Sequence, residues 1–208
     1  MARYLSIHPE NPQPRYLAQA AELMRAGGVV AFPTDSCYAL GCCLGEKTSV
    51  ERIRRIRGVD DSHHLTLMCR DLSEIAQFAR VDNAQYRLLK ATTPGSYTFI
   101  LEGTKELPRR ILHPKRKTIG LRVPANPVAL ALLEELGEPL LTSTLILPGD
   151  VAPLTEGWEI QDRLDNDLEL ILDGGYCGTT PTTVIDLTNL PPVLVRAGRG
   201  NLEPFGLE

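Results

Sequence analysis

The segment GGVVAFPTDSCYALG (residues 27–41) contains a helix stop followed directly by an apolar run. Gly27 and Gly28 end a helix predicted over residues 14–26, where apolar side chains recur at helical spacing. The next four residues, Val29–Phe32, are all apolar and predict a short buried strand that ends at Pro33. A helix followed directly by a buried strand is typical of α/β proteins.

Helix and strand patterns alternate along the rest of the chain. Thr48 and Glu51 have the spacing of a capping box for a helix through Arg57, and Asp71 with Glu74 opens another helix in the same way. A further helix spans Pro127–Leu136. The predicted strands are Leu65–Cys69, Tyr97–Leu101, Ile119–Val123, Leu140–Thr144, Leu168–Leu172, Thr183–Leu187 and Val193–Arg196. This alternation predicts an α/β fold with a twisted, open, mixed sheet.

Composition limits the possible classes of protein. The chain has 208 residues, of which 43% are hydrophobic and 23% charged, so a soluble globular protein is expected and disorder throughout is excluded. No linker or composition break divides it, and we predict a single domain over residues 1–208 with its core at about 14–200. No apolar run is long enough for a membrane span or a signal peptide, which predicts a cytoplasmic protein.

The cysteines give no sign of a metal site. There are five, an odd number, and none forms a C-x-x-C pair. We therefore expect neither zinc nor a disulfide framework, and we interpret the cysteines as small buried residues or free thiols.

Basic residues are concentrated in two segments although the net charge is −4. The segments hold Arg52, Arg54, Arg55 and Arg57, and then Lys105, Arg109, Arg110, Lys115, Arg116, Lys117 and Arg122. Two interpretations stay open. Charge runs are often no more than solvated faces, but these cations could also form a groove for polyphosphate or RNA.

Common catalytic motifs are absent: the sequence has no Walker A loop, G-x-G-x-x-G, G-x-S-x-G or H-E-x-x-H. His63, His64 and His113 lack metal-ligand spacing, and we interpret them as surface or packing residues. Hydroxyl and arginine side chains, by contrast, recur at strand ends, where α/β proteins bind ligands. Threonine is common in strands for other reasons, so this pattern alone leaves both explanations open.

Ordered motifs across nearly the whole chain resemble the YrdC/YciO family. PTDSCYALG (33–41) resembles the family signature P-T-D-T-x-Y-G-L-G, and Arg55-Ile56-Arg57 stands where the family has K-x-R. The later matches are TPGSYT (93–98), IGLRVP (119–124), GEPLLTST (137–144), DGG (173–175), TTVID (182–186) and VRAG (195–198). In detail, the sequence is most similar to the YciO branch of this family.

The resemblance implies both a fold and a chemistry. The fold is a single α/β domain with a large, concave, positively charged cavity. Members that make threonylcarbamoyl-adenylate join L-threonine, bicarbonate and ATP and release pyrophosphate, and the product serves tRNA modification. ATP would bring Mg²⁺ as its complex rather than use a metal site of the protein. Family members are also described as binding double-stranded RNA.

The resemblance also assigns roles by position. Arg55 and Arg57 would take part in catalysis. Thr34, Arg122, Thr142 and Thr182 would bind L-threonine. Arg57, Thr118, Thr144 and Arg196 would bind ATP.

Three departures from the family pattern concern the ATP site. Arg55 replaces a lysine, the loop after Arg57 is about two residues longer, and Leu145-Ile146 replaces Ala-Asn. An isoleucine side chain cannot make the hydrogen bonds of an asparagine amide. The sequence thus supports two hypotheses: a threonylcarbamoyl-AMP synthase-like enzyme, or a module that binds double-stranded RNA or tRNA and has a degenerate ATP site.

Overall fold

The computed structural model describes residues 1–207. Its helices are α1 Pro14–Arg25, α2 Lys47–Arg57, α3 Leu72–Phe78, α4 Asn83–Thr92, α5 Pro127–Leu136 and α6 Gly157–Leu164. Its strands are β1 Arg3–Ser6, β2 Val30–Phe32, β3 Ala39–Cys43, β4 Thr66–Met68, β5 Tyr97–Glu102, β6 Thr118–Arg122, β7 Leu140–Thr144, β8 Leu170–Asp173, β9 Thr183–Asp186 and β10 Val193–Arg196. None of the helices in this range is long and apolar enough to cross a membrane.

These strands form one open sheet in the order β1-β8-β2-β3-β7-β4-β6-β5-β9-β10. Four neighbouring pairs are parallel: β1 with β8, β8 with β2, β4 with β6, and β5 with β9. The other pairs are antiparallel. The predicted α/β fold with an open mixed sheet is therefore confirmed. The sheet also includes β1, which lies before residue 14, where the predicted core begins.

Alternation along the strands gives the sheet two distinct apolar faces. Leu40 and Cys42 of β3 point into the core beneath α2, while Ala39 and Cys43 point to the opposite face. On that opposite face, α1 and α5 pack together through their buried apolar sides. All five cysteines are buried and free, and burial raises the pKa of Cys42 to about 12.

One predicted helix start is wrong, and another is half correct. α2 begins at Lys47 after Glu46, and no side chain caps it, so Thr48 already lies inside the first turn and forms no capping box. Asp71 does cap α3, since its carboxylate accepts a hydrogen bond from the Glu74 amide at 3.0 Å. The Glu74 side chain, however, accepts from the amide of Arg70 instead of Asp71.

Candidate functional site

A cavity of about 590 Å³ lies over the half of the sheet that α1 and α5 leave uncovered. Its wall carries three arginines and two histidines: Arg57, Arg122, Arg196, His63 and His64. Hydroxyl side chains supply most of the remaining polar groups: Ser36, Ser62, Thr66, Thr98, Thr142, Ser143, Thr144, Thr179 and Thr182. Within residues 1–207 no carboxylate lines the cavity. The site is thus cationic and suited to an anionic ligand.

Cross-strand register builds the floor of this cavity. Thr142 of β7 lies opposite Thr66 of β4, which in turn lies opposite Gly120 of β6, and Gly120 lies opposite Ile100 of β5. A Cβ atom at Gly120 would lie 3.0 Å from the Thr98 methyl group and 3.3 Å from the Thr66 hydroxyl. Glycine at position 120 therefore leaves room for the Thr98 and Thr66 side chains on the cavity side of the sheet.

Arg57 enters the cavity from the C-terminal end of α2. Its Nε donates to the Ser143 hydroxyl at 2.9 Å, and its guanidinium group also donates to the carbonyl oxygen of Ile146. Ile146 thus holds Arg57 through its backbone at the position where the family has an amide side chain. Burial and the nearby charge of Arg196 lower the pKa of Arg57. Arg57 contacts neutral groups only, so its charge remains available to a ligand.

Arg196 ends β10 on the other side of the cavity. Its guanidinium group donates to the Thr182 carbonyl oxygen at 2.9 Å. The Thr182 hydroxyl is 2.8 Å from the hydroxyl of Thr98. Neither Arg57 nor Arg196 forms an ion pair within the part of the chain that the structure describes.

Arg122 differs from the other two arginines because a carboxylate neutralises it. It forms a buried ion pair with Asp35, whose second oxygen accepts from the Ser96 hydroxyl at 2.6 Å. The Nε atom of Arg122 is buried and has no hydrogen-bond partner among residues 1–207. No sequence pattern identifies Asp35 as this partner, although Asp35 lies within the quoted PTDS motif.

Two predicted site residues lie behind the cavity wall. The Thr34 hydroxyl donates to the Cys37 carbonyl oxygen at 2.6 Å and accepts from the amides of Ser36 and Cys37, so it shapes its own turn. It is also 3.4 Å from the Arg122 guanidinium group. Thr118 is buried at the start of β6, about 13 Å from Arg122 at the other end of the strand, given about 3.3 Å per residue.

The predicted surface and packing roles of the histidines are compatible with the structure, since His63 is exposed and His64 packs against His113, but His63 and His64 also line the cavity. The His64 Nε2 atom is 2.8 Å from the Thr118 hydroxyl, and its ring stacks on His113 with 5.0 Å between the ring centroids. Burial and the neighbouring His113 lower the pKa of His64. Spacing alone could not show this, because the loop before β4 sets both positions.

Arg55 does not lie with the other predicted residues. Its side chain is 70% exposed and pairs with Asp167 at 3.3 Å, outside the cavity. Residues two apart on a helix do not lie on the same face, and here Arg55 contacts Asp167 whereas Arg57 contacts Ser143 and Ile146. The structure therefore corrects the prediction that Arg55 acts in catalysis beside Arg57. Of the predicted residues, the cavity wall brings together Arg57, Arg122, Thr142, Thr144, Thr182 and Arg196.

Comparison with solved structures supports the fold and relates it to a threonine-binding protein. The crystal structure of Escherichia coli YciO matches with a TM-score of 0.96 at 56% identity, over 99% of this chain and 100% of that chain. Sua5 from Pyrococcus abyssi complexed with L-threonine matches with a TM-score of 0.86 at 29% identity, over 94% of this chain and 57% of that chain.

Sequence comparisons agree with the structural ones. The chain is 57% identical over 205 residues to the uncharacterized protein YciO of E. coli (strain K12), covering 99% of this chain and 100% of that protein. It is 31% identical over 186 residues to the threonylcarbamoyl-AMP synthase of P. abyssi (strain GE5 / Orsay), covering 88% of this chain but 54% of that protein. The Sua5/YciO/YrdC family model, described as "Telomere recombination", matches residues 22–198. The chain therefore belongs to the Sua5/YciO/YrdC family.

Proposed function

We propose that the cavity binds ATP and L-threonine and joins them with bicarbonate into threonylcarbamoyl-AMP for tRNA modification, releasing pyrophosphate. The observation that carries this proposal is the pair Arg57 and Arg196, which face one cavity without carboxylate partners. An unneutralised arginine pair is costly in an empty protein and favourable when a polyphosphate chain lies between the two groups. The 31% identity to a threonylcarbamoyl-AMP synthase supports the choice of reaction.

The chemistry needs positioning and charge neutralisation more than a protein nucleophile. The threonine amine attacks the carbon of bicarbonate to give a carbamate and water. A carbamate oxygen then attacks the α-phosphorus of ATP, and the bond to the β-phosphate oxygen breaks to release pyrophosphate. Arg57 and Arg196 offset the charge on the phosphates, with Mg²⁺ bound as part of the substrate. Thr144 on the cavity wall is a further predicted ATP contact, whereas Thr118 lies behind the wall and meets the site only through His64.

The amino acid belongs at the Arg122 end of the cavity. Arg122 is the predicted partner of the threonine carboxylate, and its buried Nε lacks a hydrogen-bond acceptor in the described chain. A bound carboxylate would either share Arg122 with Asp35 or take the place of the Asp35 carboxylate. The hydroxyl groups of Thr142 and Thr182 line the same cavity and are the predicted contacts for the rest of the amino acid, with Thr34 behind them.

Pyrophosphate release tests this proposal. The purified protein is incubated with ATP, Mg²⁺, bicarbonate and a panel of amino acids, and we expect release that depends on both L-threonine and bicarbonate. Arg57→Ala should lower the rate by about 100-fold, because it removes one preorganised charge from the transition state. Arg55→Ala is the matched control on the same helix and should retain the wild-type rate. Release without threonine or bicarbonate, or equal rates in the two variants, would refute the assignment.

A second candidate function is binding of double-stranded RNA or tRNA. Six cations between β5 and β6 are exposed and form no ion pair within residues 1–207: Lys105, Arg109, Arg110, Lys115, Arg116 and Lys117. Exposed, unpaired cations on one loop match the repeated negative charges of an RNA backbone. This observation concerns a surface outside the cavity, so the two functions are independent.

The salt dependence of the affinity for RNA shows whether these cations bind RNA or only form a solvated surface. Reversal of Arg109, Arg110, Lys115 and Lys117 to glutamate should weaken binding of a double-stranded RNA. It should also flatten the slope of log K against log salt concentration by about one for each phosphate group that the variant no longer neutralises. Reversal of the exposed Arg15 on α1 is the control. An unchanged slope and affinity in the fourfold variant would exclude this candidate.

A further inference from the structure

The loop between α2 and β4 places the imidazole ring of His63 on the cavity wall that also carries Arg57 and Arg196. Gly58 has a φ of 64°, a left-handed conformation that suits glycine, and it ends α2 directly after Arg57. The Asp60 carboxylate then accepts hydrogen bonds from the amide and the hydroxyl of Ser62 at 2.8 and 2.5 Å. These local contacts fix the shape of the turn, and His63 follows it on the cavity wall.

His63 is free to meet a ligand, whereas His64 is not. His64 is held by Thr118 and His113. Within residues 1–207 the His63 ring has no hydrogen-bond partner, and its backbone amide donates to the Asp60 carbonyl oxygen at 3.2 Å. An imidazole that lines a cavity without an internal partner can donate or accept a hydrogen bond there.

Positive charges dominate the surroundings of His63. The charged groups that act on its ring are Arg57 and Arg54 of α2, Arg196 of β10 and the Asp60 carboxylate of its own loop. The other carboxylate of the loop, Asp61, pairs with Arg54 at 2.9 Å. Partial burial and the charges of Arg57 and Arg196 lower the pKa of His63, while Asp60 has a smaller opposite effect. The ring is therefore neutral near pH 7 while the cavity is empty.

A polyphosphate bound between Arg57 and Arg196 has the opposite effect on the pKa of His63. Its negative charges lie next to the ring and favour the protonated imidazole, which can then donate a hydrogen bond to a phosphate oxygen. We propose that His63 is a third cationic contact of the phosphate site and becomes protonated as the polyphosphate binds, so that binding takes up a proton. This inference rests on the proposed function in one respect: ATP must place its phosphates between Arg57 and Arg196.

Proton uptake makes the affinity depend on pH in one direction. Between the pKa of His63 in the empty protein, which lies below 6.5, and its higher pKa in the complex, the affinity for ATP falls as pH rises, by up to about tenfold per pH unit. Below both values the ring is charged in both states, and above both it is neutral in both, so His63 adds no pH dependence there.

Calorimetric titration of ATP measures the linked proton directly. Titrations at one pH in two buffers with different heats of ionisation give the number of protons taken up, and a series from pH 5.5 to 8.5 gives the affinity profile. ATP protonation is the same for every variant and cancels in the comparison. His63→Gln should take up fewer protons than the wild type and show a flatter profile, with its largest loss of affinity at the acidic end of the series. His63→Lys should bind tightly over the whole range, since lysine stays charged.

The controls separate failure of this inference from failure of the proposed function. His8→Gln removes an exposed imidazole that does not line the cavity and should behave as the wild type. If His63→Gln binds ATP with wild-type proton uptake and a wild-type pH profile, the role of His63 is refuted and the ATP site stands. If the wild type does not bind ATP at any pH, both proposals fall together.

Discussion

Arg122 and Arg55 show, at the scale of single residues, how burial changes what an arginine does. Both pair with an aspartate, but the Arg122–Asp35 side chains are 7% and 11% exposed, against 70% and 41% for Arg55–Asp167. A buried pair excludes water from both charges, so the loss of one partner leaves the other uncompensated. An exposed pair leaves both charges hydrated and adds little stability.

This difference predicts the stability of two variants. Asp35→Ala should lower the free energy of unfolding by about 3 kcal/mol or more, because it leaves the Arg122 charge buried without a partner. Arg55→Ala should lower it by less than about 1 kcal/mol, since the Asp167 carboxylate stays hydrated. Urea unfolding curves of the wild type and both variants measure these values. Equal losses in the two variants would show that burial does not decide the strength of the Arg122–Asp35 pair.

Residue-level sequence signals found the cations of the site but not their partners. Arg57, Arg122 and Arg196 follow from the family motifs, and the structure places all three on one cavity wall. The pairing of Arg122 with Asp35 spans 87 residues, and no local pattern encodes it. His63 was missed for a related reason, because its loop departs from the family pattern in length and so has no counterpart to compare.

At the scale of elements, the starts of α2 and α4 show that the spacing of a capping motif does not by itself produce a cap. The Asp82 side chain accepts from the amides of Ala84 and Gln85, both at 2.8 Å, and the Gln85 side chain accepts in return from the Asp82 amide. Thr48 has the spacing of such a motif with Glu51, but it lies inside the first turn of α2 and is exposed.

Alanine substitutions distinguish the real cap from the apparent one. Asp82→Ala should cost about 1 kcal/mol of stability, because amides at the start of α4 lose their acceptor. Thr48→Ala should change stability by no more than about 0.5 kcal/mol, since no cap is lost and alanine favours the helix. Thermal and urea unfolding of the two variants provide the test, and a larger loss for Thr48→Ala would contradict the observed start of α2.

The elements that sequence patterns missed are short or lack a clear hydrophobic periodicity. β3 is buried on both sides, so ALGCC shows no alternation, and it contains no β-branched residue. β1 has four residues, the outer two exposed, and α6 is short and begins with glycine. The helix predicted from Asp71 is α3, and α4, which follows after an extended segment at Ala79, was not predicted. Amphipathic elements such as α1 and α5 carried a clear pattern and were predicted.

At the scale of the whole molecule, the site depends on a strand order that periodicity does not reveal. The cavity lies over β3, β7, β4, β6, β5 and β9. Among these neighbouring strands only β5 and β6 are consecutive in the sequence. Its arginines come from residues 57, 122 and 196, each carried by a different element. The family resemblance supplied this convergence as an expectation, and the comparisons confirm the fold on which it depends.

Because the cavity joins distant parts of the sheet, a ligand that fills it should stabilise the entire fold. ATP at about 100 times its Kd should add about 2.7 kcal/mol, which raises the Tm of a domain of this size by about 5–10 °C. Differential scanning fluorimetry with ATP and Mg²⁺ measures the shift. Arg55→Ala should show the full increase and Arg57→Ala little or none, since only Arg57 reaches the cavity. An equal increase in both variants would mean that ATP binds elsewhere and that the Arg57–Arg196 pair does not hold its phosphates.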